Sequence, residues 1–135
     1  MVRTILAVIA GFIAASATFL LVESLGHQLF PFPADLELTN KEAMKAYMDS
    51  QPIAAYLLVW GGWLLGSLEA GAIAQFIAKA RTNTVPAIIG GLLTAAAIVN
   101  FVMLPHAIWF IVLGLVTFIP AVFAGWKFAQ RFTMP

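Results

Sequence analysis

Four ionisable side chains stand within or beside long apolar runs: Glu23, His27, Glu69 and His106. A titratable group in hydrocarbon is costly, so each needs a reason, commonly ion handling or a contact between helices. Glu23 and His27 are four residues apart, share a helix face and can pair directly. With His106 they supply a carboxyl group and two imidazoles, a set able to hold a divalent metal or relay a proton. The plainer expectation is a polar collar at the lipid–water boundary with no cofactor, because the His-Glu-x-x-His pattern of zinc helices is absent.

Glu69 belongs to a second layer. Counting ~1.5 Å per residue from the nearest basic residues puts it ~15 Å deep and Glu23 ~30 Å up, too far apart to share one site. Gly62 and Gly66 fall on the Glu69 side of their helix as a small-xxx-small stripe, the usual packing face between membrane helices. That stripe directs Glu69 into the bundle or into a subunit interface. Thr94 and Thr117 lie at similar depth, with Ser16 and Asn100 slightly higher, and these are its expected polar partners. Such an intramembrane site suits an oligomeric proton- or cation-coupled transporter or channel. A neutral glutamic acid can equally join helices, worth about 1 kcal/mol.

The elements that position these residues follow from where charge is missing. Of 135 residues, 62% are hydrophobic and 10% charged, against about 25% charged in ordinary soluble domains, and mean hydropathy is +0.97. Thr4 to Val22 and Thr82 to Trp126 contain no charged residue, and Ile53 to Ala78 is broken only by Glu69. A span needs about 20 apolar residues, so the 45-residue run must turn back on itself, at Leu104-Pro105-His106. Four spans result, at about 4–29, 53–78, 85–104 and 107–126. Arg3 and Ala15-Ser16-Ala17 resemble a signal peptide, but apolar character continues to Val22 and favours a retained first span.

The segment 31–52 between the first two spans has structure of its own. Thr39-Asn40-Lys41-Glu42 fits a capping box, and Met44, Tyr47 and Met48 share one face of a short helix over about 40–49. That face suits the bundle rim or the lipid interface, and the two thioethers are plain packing before they are soft-metal ligands. Asp49 or Ser50 can cap the next span, with Pro52 in its first turn. Pro120 is expected to kink the last span. Trp60, Trp63, Trp109 and Trp126 lie near span ends, as an interfacial belt would. The fold class is therefore all-α: a single transmembrane domain over 1–135, a four-helix bundle with a short extracytoplasmic helix.

Orientation comes from basic residues. Arg3, Lys79, Arg81, Lys127 and Arg131 fall on one side with no acid among them; Lys41 and Lys45 face Asp35, Glu37, Glu42 and Asp49 on the other. The positive-inside rule places both termini in the cytoplasm. With no cysteine and a net charge of +1, disulfide scaffolds, thiolate metal sites and electrostatic nucleic-acid binding are excluded. No serine has a histidine at its depth and no Gly-rich nucleotide loop is present, so an enzyme is not expected. The expected partners are the lipid bilayer and a second copy or another membrane protein.

The stretch Leu21-Val22-Glu23-Ser24-Leu25-Gly26-His27-Gln28-Leu29-Phe30-Pro31-Phe32-Pro33-Ala34, continuing through Thr39-Asn40-Lys41-Glu42, resembles a group of short, uncharacterised bacterial inner-membrane proteins. Their first span ends in a Glu, Gly-His and Pro-rich passage, and a Gly-rich second span follows. The resemblance implies a bacterial four-span protein of the inner membrane and carries no activity with it.

Overall fold

The computed structural model describes all 135 residues as five helices and no strand: α1 (Val2–Leu29), α2 (Lys41–Asp49), α3 (Ile53–Ala78), α4 (Thr84–Met103) and α5 (Ile108–Thr133). All but α2 are long and apolar enough to cross a membrane. Both chain termini and the 79–83 turn lie at one end of the bundle; α2 and the 104–107 turn lie at the other.

α3 is the central helix. It packs along α1 on one side and α5 on the other, while α4 rests mainly on α5 and touches α1 and α3 more lightly. Glycine sets these contacts. A Cβ on Gly71 would overlap the Val122 carbonyl, and one on Gly125 would overlap the Leu68 carbonyl, so α3 and α5 meet backbone to backbone. On the other side Gly62 receives Val22, and Gly66 receives Phe19 and the Ala15 carbonyl. Close approach of this kind suits hydrocarbon, where lipid tails compete for every large side chain and dispersion between backbones must hold the helices. The packed centre is consequently built of Ala7, Ala15, Ala70, Ala74, Ile89, Leu93, Phe118, Val122 and Trp126. Ile13, Leu20, Val102 and Val116 point outward, as a lipid-facing surface requires.

Several local expectations are corrected. α2 is capped by Asn40 and not by Thr39: the Asn40 side chain accepts from the amides of Glu42 and Ala43 at 3.0 and 3.2 Å. Asn40 occupies the extended cap position, one residue later than the capping box placed it. Neither Asp49 nor Ser50 caps α3; Pro52 is the cap residue, without a side-chain bond, and Ser50 donates back to the Tyr47 carbonyl. Trp126 is fully buried and so belongs to the core, not to an interfacial belt. α5 contains Pro120 within its length and continues past the expected end at 126 to Thr133. There Gln75 donates to Thr133 Oγ1 at 2.9 Å and Gln130 to the Ala80 carbonyl at 3.2 Å.

Candidate functional site

The polar residues fall into two separate places. The first is on α3. Thr18 of α1 donates to Glu69 Oε2 at 2.5 Å, and both residues are only partly buried. Leu65 and Phe76, on the same stripe of α3, are 57% and 51% exposed. Glu69 therefore sits at the rim of the α1–α3 contact, next to the outward surface, and is not enclosed in the bundle.

None of the four expected partners bonds to it. Ser16 donates to the Phe12 carbonyl, Thr94 to Gly90 and Thr117 to Leu113, at 2.8, 2.7 and 2.6 Å. A helical hydroxyl returns its single proton to the carbonyl one turn back whenever no stronger acceptor is in reach. Thr117 also accepts from Trp60 Nε1 at 2.9 Å. Asn100 lies farther along the bundle, on the lining of the second site. Depth counting missed Thr18 because it compares heights and ignores which helices are neighbours. The usable signal was Ala7-x-x-x-Gly11-x-x-x-Ala15, a small-residue stripe on α1 that puts Thr18 beside the α3 contact.

The second site is a cavity of about 280 Å³ at the α2 end, to which all five helices contribute. It exists because α3 separates α1 from α5, leaving a gap above the aromatic contact of Phe19 with Phe118, ring centroids 6.2 Å apart. Trp63 packs in a tilted arrangement at 4.9 Å on Phe110 and 5.5 Å on Phe118, forming one wall. α2 closes the top. Its Met44 is buried, Tyr47 donates to the Phe30 carbonyl at 3.3 Å, and Tyr56 of α3 donates to the Met48 carbonyl. Burial raises the Tyr47 phenol above 10.0, so it remains a donor.

Glu23, His27 and His106 all line this cavity. They do not, however, form a metal-ligating cluster. Glu23 and His27 share a face without pairing; the molecule's one ion pair is Lys45–Asp49 at 3.8 Å on α2. His27 packs instead on Phe32 at 4.8 Å, which in turn meets Tyr47 at 5.0 Å. His106 Nδ1 lies 3.0 Å from the Leu104 carbonyl. A carbonyl only accepts, so Nδ1 carries the proton and Nε2 is left as an acceptor. The ring stacks on Phe110 at 5.7 Å and 18°. Burial lowers its pKa from 6.5, partly offset by the Leu104 bond.

The chain matches no protein-family model, no curated protein and no solved structure. Its chemistry is read from these two sites: a hydrogen-bonded carboxyl group at a helix rim, and a capped aromatic cavity with a few polar groups.

Proposed function

We propose that this small multi-pass protein of the bacterial inner membrane works by association, with a second copy of itself or as an accessory subunit of another membrane protein. It has no catalytic role in this reading. Basic residues clustered at the terminal end support cytoplasmic N- and C-termini.

The observation that carries the proposal is the position of Glu69. A carboxyl group near mid-span, partly exposed beside the outward-facing Leu65 and Phe76, borders lipid unless another helix covers it. Thr18 satisfies one oxygen; the remaining hydrogen-bonding capacity is available to a neighbour. Polar contacts between membrane helices contribute about 0.6–2 kcal/mol each, enough to bias an association already driven by packing.

Native mass spectrometry of the chain released from lipid nanodiscs tests this directly. The expected spectrum contains an oligomer or a co-purified membrane protein, and Glu69→Leu reduces that species at least threefold while leaving the helical circular dichroism unchanged. A wild-type spectrum of monomer alone would sink the proposal. Proton or cation flux into liposomes that is lost in Glu69→Gln would replace it with transport.

A further inference from the structure

We propose that the capped cavity at the α2 end binds a small apolar organic cation, with a quaternary ammonium as the type case. This inference is independent of how the chain associates. Glu23 is the only acidic residue on the lining, and no lysine or arginine accompanies it. An anion would meet that acidic group unopposed. The walls carry aromatic rings: Phe19, Tyr56, Trp63 and Phe110 all contribute, one face of Phe110 being taken by His106. Aromatic faces carry the negative part of the ring quadrupole and attract cations within about 6 Å. Glu23, itself exposed to solvent, adds a Coulombic attraction for a cation that water moderates.

The type of cation follows from what the lining lacks. A metal ion or a primary ammonium is strongly hydrated and must exchange its water for several oxygen or nitrogen ligands. No group of three His, Asp or Glu able to hold a metal ion is present, and His106 offers only its Nε2, since Nδ1 is engaged by Leu104. A quaternary ammonium has no proton to donate and needs faces, not acceptors. The volume of about 280 Å³ falls just below the ~300–1,000 Å³ usual for ligand sites, which fits a small free cation.

The test is calorimetric titration of the full chain in phosphatidylglycerol nanodiscs with benzyltrimethylammonium chloride, and in parallel with benzylsulfonate, an anion of similar size. Saturable binding of the cation is expected, with at least tenfold weaker binding of the anion. Glu23→Gln is expected to weaken the cation at least tenfold. Val59→Phe, which fills the lining without changing charge, should weaken it as well, so the result does not depend on one variant folding. Absence of saturable binding, equal binding of the anion, or wild-type affinity in both variants would overturn the assignment. In phosphatidylcholine nanodiscs saturable binding and the preference for the cation should persist, weakened only by loss of the anionic surface attraction. Loss of saturable binding there would overturn the free-cation assignment in favour of a lipid headgroup.

Discussion

His106 shows how one side chain can link sequence, packing and pH. It follows Pro105 in the turn between α4 and α5 and stacks on Phe110, where burial disfavours its charged form. The folded pKa thus lies below the unfolded value of 6.5. As pH falls through that value, the unfolded chain takes up a proton that the folded chain does not, and stability is lost. Below the folded pKa the loss stops growing. The melting temperature in detergent should therefore fall as pH is lowered through the unfolded value of 6.5, and this pH-dependent part should be smaller in His106→Gln. An equal fall in the variant would assign the effect to other groups. Sequence alone placed His106 in a turn on the Glu23 side of the membrane, which is where it lies. It could not show the Leu104 bond, because that depends on a local backbone path which no periodicity records.

At the scale of helices, glycines that look alike in sequence have opposite consequences. Gly125 and Gly91 both sit inside apolar spans. A Cβ on Gly125 would strike the Leu68 backbone, whereas one on Gly91 meets nothing within 4 Å. Backbone cannot rotate aside, so Gly125→Ala should destabilise by about 1–3 kcal/mol. Gly91→Ala should be neutral or stabilising by up to ~1 kcal/mol, since alanine is the better helix former. Thermal unfolding of the two variants under one condition checks both signs; similar shifts would mean that the α3–α5 contact is looser than described. The four spans were legible because their length and lack of charge are properties of the chain itself. Which spans touch is not such a property. Gly62 and Gly66 advertised a packing face, yet the α3–α5 pairing through Gly71 and Gly125 was not anticipated from the sequence. Trp126 likewise read as an interfacial anchor because its position near Lys127 said nothing of the glycine across from it.

Across the whole molecule, the seven basic and six acidic residues nearly cancel in number but separate in space. The all-basic group lies at the end that carries both termini, and the acidic group surrounds α2. Alkaline phosphatase fused after Pro135 should be inactive, and the same enzyme inserted near Leu38 should be active; the reverse pattern would invert the proposed orientation. The cavity under α2 was only half legible. Glu23, His27 and His106 were grouped correctly by height, but the aromatic walls from α3 and α5 emerge only when the helices are set side by side. Height is a one-dimensional coordinate, and a pocket needs three.

α3 lies at the centre of the packing and is also the least apolar of the four spans, carrying Ser67, Glu69 and Gln75. During synthesis it leaves the ribosome before α4 and α5, with only α1 available to cover it. A nascent chain ending shortly after Ala78 would thus leave Gln75 without the partner that Thr133 of α5 later supplies. Assembly in the membrane then has a natural order: α1 enters first, and the α4–α5 hairpin arrives later to complete the surroundings of α3. Until that hairpin arrives, α3 is the segment most exposed to membrane quality control, so chains truncated before Ile108 should be degraded faster than chains lacking only the last few residues.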